Sequence, residues 1–457
     1  MSRMTRRSLL KLGLMGTGTV VLIACAPKVA PAPVEEKPAA PAEPAVKAPA
    51  EKIQLRFITR QGDHGMHHRE FANRYAAESE GRIEVECEEV AWGEIPTRIE
   101  TQMVAGILAD AAVQDNAWFP YLTKRGAWLD LDPFIDKHQM DLSEWFNVEW
   151  WRKWSDNKIT GIGGGAGLNH IITWYNREWV LEAWGKEPWD DWTMDDYAEC
   201  MEACVKLKGE GFFGGDAPVG GGHVADGWVQ NWGGGYMNPE GTECRFNDPK
   251  TQDGIKFHRE QLANGNYPGR EDRAEGIGHM FFAETLAIRV DNPGAATGMA
   301  KGAEELGIDL GVCLAPKGPS AFENPPRRGF SPYTNMKCAS RTTKYPEEAF
   351  LLVKKVCSTE SMLWLFHQIG KQPGGEFAVW RHPDVVADFP IFAKVADLME
   401  ETQEPFPMPA NVRDRELRDV AGNEIPPLVF GEVEYNQANI DRVHRNMQEI
   451  IDLPPPS

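Results

Sequence analysis

Apolar and polar residues alternate along Ile53-Gln54-Leu55-Arg56-Phe57-Ile58, the period-two pattern of a strand with one face buried. Gly62-Asp63-His64-Gly65 then reads as a turn. Phe71, Tyr75 and Ala76 carry the apolar face of a helix expected to end at Gly81. Ile83 to Val90 alternates again as a second strand, and Ile95, Ile99, Gln102, Met103 and Gly106 mark a second helix. Ala111 to Gln114 is a short apolar strand that opens onto Asp115-Asn116-Ala117-Trp118. This strand–helix alternation predicts a mostly parallel sheet covered on both faces.

Farther along, Leu168 to Tyr175 is rich in strand formers, and Thr193 is placed to cap a helix through Tyr197, Met201 and Val205. Thr285 to Val290 and Ile308 to Leu314 read as strands. Asn292-Pro293 and Pro346-Glu347-Glu348 read as helix starts, the second running to about Val356. Ile440, Val443, Met447, Ile450 and Ile451 recur at helical spacing near the end of the chain. No internal repeat of fixed period is present. Gly161-Ile162-Gly163-Gly164-Gly165-Ala166-Gly167 superficially suggests a dinucleotide loop, but that motif needs a helix after it. The following Leu168-Asn169-His170-Ile171-Ile172 reads as a strand, so a flexible crossing between two lobes is expected here instead.

The N-terminus changes the picture of where the chain works. Arg6-Arg7 precede a 13-residue apolar run, Leu12 to Ala24, diluted by Gly and Thr. This matches a twin-arginine export signal and is shorter than the ~20 residues of a membrane span. Leu22-Ile23-Ala24-Cys25 resembles a lipobox with Cys25 as the lipidated residue; a plain signal with a coincidental Cys is the alternative. Residues 26–50 hold seven prolines and nine alanines, the composition of an extended tether with no core.

The 457 residues carry a net charge of −20, or −24 once Arg3, Arg6, Arg7 and Lys11 leave with the signal. That acidity argues against a nucleic-acid partner, which needs a basic footprint. Seven cysteines remain beside Cys25, an odd number without Cys-x-x-Cys spacing, so buried free thiols are expected and a zinc ribbon is not. No Gly-x-Ser-x-Gly, His-Glu-x-x-His or Gly-Lys-Ser/Thr motif occurs. His64, His67 and His68 could ligate a metal, but with no supporting cluster they read as a polar helix start. No cofactor and no metal is expected. Nine of the 16 tryptophans fall between Trp145 and Trp192, and the group Trp145 to Trp154 reads mainly as packing between helices.

The order of segments resembles the extracellular solute-binding proteins of ABC importers, specifically the large carbohydrate-type group, family 1. Val104-Ala105-Gly106-Ile107-Leu108-Ala109-Asp110 is similar to that family's Ala-Gly-x-x-Pro-Asp stretch, with Ala109 in place of Pro. Trp118 to Pro133, Asn157-Lys158-Ile159-Thr160-Gly161-Ile162, Trp174-Tyr175-Asn176-Arg177-Glu178 and Pro188 to Asp196 resemble further family segments in the same order, as do Trp232-Gly233-Gly234, Phe246-Asn247-Asp248-Pro249 and Gly431-Glu432. Thr160-Gly161-Ile162-Gly163 departs from the family's Tyr-Gly-x-Pro. The resemblance implies an α/β, two-lobed periplasmic-binding-protein-like fold of type II, each lobe a mostly parallel sheet flanked by helices. Signal 1–24, tether 25–51, lobe 1 from 52–165 and 287–338, and lobe 2 from 166–286 and 339–457 are the expected divisions. Crossings are expected near Gly163–Asn169, Phe282–Arg289 and Thr334–Thr343.

Open α/β sheets bind ligands beyond the C-terminal ends of their strands. The ligand-binding candidates are therefore Asp63 and His64 after the first strand, Asp115, Asn116 and Trp118 after the third, and Asn169 at a crossing. Trp228, Trp232 and Tyr236 in a Gly-rich stretch, Asp291 after a later strand and Tyr333 before a crossing complete the set. Against these stand plainer roles: Asp63 as a helix cap, Trp118 as core, Asp291 as a turn residue. The expected function is a lipid-anchored, monomeric receptor on the extracytoplasmic side that hands a mono- or oligosaccharide to ABC permease subunits, with no catalytic residues. An exported glycosidase or lyase, or a receptor for a peptide or an anion, is the alternative. Few Arg or Lys stand among the candidates, which argues against an anion.

Overall fold

The structure is a computed structural model that describes residues 52–219, 222–274, 276–323, 328–401 and 410–455. The export signal, Cys25 and the tether lie outside the described residues. Among the described residues eight strands form two sheets: β1 (Ile53–Arg60), β2 (Ile83–Val90), β3 (Ala111–Asp115), β4 (Ile162–Asn169), β5 (Ile172–Asn176), β6 (Ile288–Asp291), β7 (Leu310–Leu314) and β8 (Ser331–Ala339).

The first sheet has the order β2-β1-β3-β8-β4. β1 runs parallel to β2 and β3, with Ile53 opposite Ile83 and Phe57 opposite Ala111. β8 enters antiparallel between β3 and β4. Its core buries Leu55 and Phe57 from β1 and Phe71 from the helix Asp63–Glu78, together with Ile95, Ile99, Trp150, Trp151 and Phe350. The tryptophans Trp145 to Trp154 belong to this core.

The second sheet, β6-β5-β7, is antiparallel throughout and not mostly parallel. After β5 the chain makes a long helical excursion and re-enters the sheet from the opposite end, which reverses the strand direction. β6 and β7, expected with lobe 1, thus belong to the second sheet, and the expected crossing at Phe282–Arg289 is strand entry within one lobe. The helix Pro346–Val356, expected with lobe 2, packs on the first lobe through Ala349, Phe350 and Val353. The helix Met194–Lys208 is closed by a capping box in which Thr193 and Asp196 satisfy each other's backbone N–H groups.

The glycine-rich segment is a strand and not a flexible crossing. β4 pairs with β8 from Ile162 to Asn169, the two strands that carry the chain out of and back into the first lobe. Its glycines let bulky neighbours lie flush on the backbone. A Cβ at Gly163 would stand 2.6 Å from Trp151, one at Gly164 2.5 Å from the Cys357 sulfur and one at Gly167 2.9 Å from Trp380. The turn out of β4 falls on His170, with φ +53, before β5 begins in the second sheet. A separate cluster, with Ala166 and Leu168 from β4, Ile172 and Trp174 from β5, and Phe366, Phe377 and Trp380, bridges the two sheets. The helices Asp414–Val429 and Gln437–Ile451 close a further cluster with Tyr236, Phe246 and Ile255. The seven described cysteines are free, and all but Cys87 are buried.

Candidate functional site

β1 delivers Arg60 at its last position, and Gly62, at φ +80, turns the chain into the helix that begins Asp63-His64. β6 from the other sheet delivers Arg289 and Asp291, which share a strand face because side chains two apart point the same way. A cavity of about 540 Å³ opens between these strand ends, with Asn292, Lys371 and Gln372 on its remaining wall. A second, small cavity of about 20 Å³, room for about one water, shares Arg60, His64 and Gln372 with it and reaches Trp92, His67, Asn335 and Lys337.

Charge is arranged in two ways. Asp63 holds Lys371 across 3.2 Å, and Arg289 is ion-paired with Asp291, whose carboxylate also accepts from the backbone N–H of Asn292 at 2.7 Å. Arg60 and Lys337 have no such partner. The Arg60 guanidinium lies 4.6 Å above the Trp92 ring, its Nε is buried without a hydrogen-bond acceptor, and burial lowers its pKa. Lys337, only 4% exposed, donates to the Asn335 carbonyl at 3.3 Å. Burial lowers its pKa also, with Arg60 adding to the shift. Among the described residues no carboxylate forms an ion pair with either.

Three histidines sit behind this pair. Burial, then the charges of Arg60 and Lys337, push His64 down to about 2. Burial and Lys337 push His67 down to about 3, and His68 also falls well below its usual value. All three are therefore neutral hydrogen-bonding groups at pH 7. Ser361 Oγ donates to the Val356 carbonyl at 2.7 Å and lies 2.6 Å from His67 Nε2, so Nε2 must carry the proton. His68 Nδ1 meets Thr59 Oγ1 at 2.5 Å. Among the described residues no group of three His, Cys, Asp or Glu is placed to hold a metal.

The sequence profile of the bacterial extracellular solute-binding proteins matches residues 70–374, two-thirds of the chain. The chain belongs to that family. No curated protein matches it in sequence. Solved structures do match in fold. The ABC substrate-binding protein of Listeria monocytogenes, solved with cycloalternan, aligns with a TM-score of 0.69 at 15% identity, over 88% of this chain and all of the other. The sugar-binding protein MalE of Xanthomonas citri aligns at 0.70 and 14%, over 87% and 97%. A solute-binding protein of Agrobacterium radiobacter in complex with ribitol aligns at 0.69 and 16%, over 88% and 100%. The two-lobed α/β architecture is thus that of periplasmic binding proteins, and no helix among the described residues is long and apolar enough to cross a membrane.

In this solute-binding protein the cavity between the sheets gathers Asp63, His64 and Asp291 from the sequence candidates. Trp118 lines a separate pocket of about 250 Å³ with Tyr121, Arg413 and Glu416, its ring 4.9 Å from Trp92. Asp115 and Asn116 lie close by; burial raises the Asp115 pKa against the opposing charge of Arg418, and Asn116 is fully buried. Asn169 ends β4 at the crossing, opposite Ser331.

The remaining aromatics pack elsewhere. Trp228 sits in the second lobe's core, edge-on to Tyr197 at 6.4 Å, and Trp232 meets Phe257 at 5.0 Å. Tyr236 meets Phe246 at 5.9 Å; Tyr333 is the exception, buried along β8 with its hydroxyl toward Gln372 of the cavity wall. The glycines near Trp232 serve close approach and not a ligand loop: a Cβ at Gly234 would stand 2.5 Å from the Thr251 backbone.

Sequence reasoning missed Arg60, Arg289, Lys337 and Lys371, and so its inference of a cation-poor cleft is overturned. Two signals were available. Arg289 stands two before Asp291 on one strand, and Lys337 interrupts the apolar run Met336 to Ala339. A lysine in a buried strand is costly unless it has a use.

Proposed function

We propose that the protein is the extracytoplasmic receptor of an ABC importer and captures a carbohydrate between its lobes without turning it over. The observation that carries this reading is the 540 Å³ cavity at the junction of the two sheets, walled by planar and hydrogen-bonding groups from both lobes: Arg60, Asp63, Arg289, Asp291, Asn292 and Gln372. Such groups match the paired donors and acceptors of sugar hydroxyls, and a site split between lobes couples occupancy to hinge closure. Family membership supports the receptor role, and structural neighbours solved with cycloalternan, maltose or ribitol support a polyhydroxylated solute. Asp63 and Asp291, the only carboxylates lining the cavity among the described residues, are each engaged by a cation, an arrangement suited to fixed binding groups.

In this reading Arg6-Arg7 direct export, Cys25 carries lipid, the Pro/Ala-rich tether spaces a monomeric body from the membrane, and the permease subunits read the closed form. Isothermal titration of the body from residue 52 onward against a sugar panel should show one-to-one binding, with the sugar recovered intact by chromatography. Recovery of cleaved products would count against the receptor in favour of an exported glycosidase or lyase. Mass spectrometry of the N-terminal peptide from membranes should find acylated Cys25; a free thiol there would remove the anchor from the proposal.

A further inference from the structure

The charges at the cleft do not cancel. Lys371 and Arg289 are answered by Asp63 and Asp291. Arg60 and Lys337 remain. Of the acids that act on Arg60, Asp115 acts more strongly than Asp63, but Asp115 faces Arg418 more strongly than Arg60, and Arg418 is itself ion-paired with Asp414 at 2.5 Å. Among the described residues the other charged or titratable groups around Lys337 are the thiols of Cys357 and Cys338, Arg60 and the neutral histidines, none of them an anion at pH 7. The first lobe therefore presents a guanidinium with an unsatisfied Nε to one end of the cleft, backed across the small adjoining cavity by a buried ammonium that no carboxylate pairs among the described residues, in a chain whose net charge is −20. A buried charge without a partner is costly in the empty protein and becomes favourable when an occupant brings the opposite charge.

We propose that the solute is an anionic sugar, whose oxyanion group, carboxylate or phosphate, is held at the Arg60–Lys337 end of the cleft while its hydroxyls face Asp63, Asp291, Asn292 and Gln372. This rests on the carbohydrate reading above and narrows it. Arg60 lines both cavities and makes the direct contact, its guanidinium 4.6 Å above the Trp92 ring and its Nε without an acceptor. Lys337 adds a positive field, and among the described residues no carboxylate pairs with it. Arg289 and Lys371, already paired, fix the opposite wall.

The test is titration of the body from residue 52 onward, by calorimetry and by tryptophan fluorescence. The probes are galacturonate, glucuronate and their di- and trisaccharides, glucose 6-phosphate, the neutral galactose and glucose series of the same lengths, and malate as an anion that is not a sugar. At least one uronide or the sugar phosphate should bind tenfold or more tightly than its neutral counterpart, and which of the two binds identifies the oxyanion. In Arg60→Gln and in Lys337→Met that preference should shrink by tenfold or more. Lys337→Met, relieved of a buried charge, should keep or raise the melting temperature of the empty protein, and Arg60→Gln carries the test if the Met variant does not fold. A neutral sugar that binds as tightly as its acidic counterpart overturns the proposal and leaves the carbohydrate receptor standing. Binding of malate with no sugar of either kind overturns both. Absence of binding by every anionic sugar in the panel also overturns the proposal.

Discussion

His67 is a buried imidazole whose one polar contact among the described residues is through Nε2, and its burial, with Lys337 beside it, makes protonation unfavourable. Its folded pKa, pushed down to about 3, lies below the ~6.5 of an unfolded histidine. Between those values the unfolded chain binds the proton and the folded one does not, so the stability it contributes is present above pH 6.5 and lost as pH falls. By pH 5 the loss is about 2 kcal/mol for this one residue. Urea unfolding at pH 7 and pH 5 should show that fall, and His67→Gln, which keeps a donor for Ser361, should show a shallower one. Equal slopes would mean that His67 titrates normally in the folded state. At this scale the sequence was partly legible. Asp63, His64 and Asp291 were found because strand ends are where open sheets bind ligands. Lys337 and Lys371 were not, because one lies mid-strand and the other in a segment without periodic signal. Trp228 and Tyr236 were misplaced because flanking glycines look alike in sequence whether they free a loop or admit a neighbour.

Such glycines matter most in β4, where element and packing constrain each other. Gly163 cannot accept a Cβ, which would meet Trp151 at 2.6 Å and the Thr334 hydroxyl at 2.4 Å. Gly165, two residues on, would place one 3.5 Å from Asn335, an ordinary contact. Neither has a positive φ, so space alone separates them. Gly163→Ala should destabilise by about 1–3 kcal/mol through overpacking. Gly165→Ala should be neutral or stabilising by about 0.5–1 kcal/mol, since alanine has less backbone freedom to lose than glycine. Thermal melts of the two variants without ligand check the contrast, and equal destabilisation would mean that close packing at Gly163 is not what sets the two positions apart. Most other elements were visible from periodicity and caps, as with the capping box at Thr193 and the apolar face of the last helix. A run of glycines carries no period, and its strand character comes entirely from β8 and the tryptophans packed against it.

At the scale of the molecule, two sheets share one hydrophobic cluster, and this decides how they come apart. Leu168 on β4 and Trp174 on β5 stand on different sheets, yet both lie in the cluster with Phe366, Trp380 and Phe392. Separating the lobes would expose part of that cluster, so the empty body from residue 52 onward should unfold in one calorimetric transition although it has two sheets. The division of the chain into lobes was less legible than the elements, because β6 and β7 follow each other in sequence as readily in either sheet, and only their antiparallel pairing with β5 assigns them. A ligand held between Arg60 of the first lobe and Arg289 of the second binds only the folded, two-lobed state. Saturation to 100 times the dissociation constant should therefore stabilise the whole body by about 2.7 kcal/mol. The single transition should move upward without splitting. Two resolved transitions, with only one shifted by ligand, would show that the bridging cluster does not couple the lobes and that the solute rests on one of them alone.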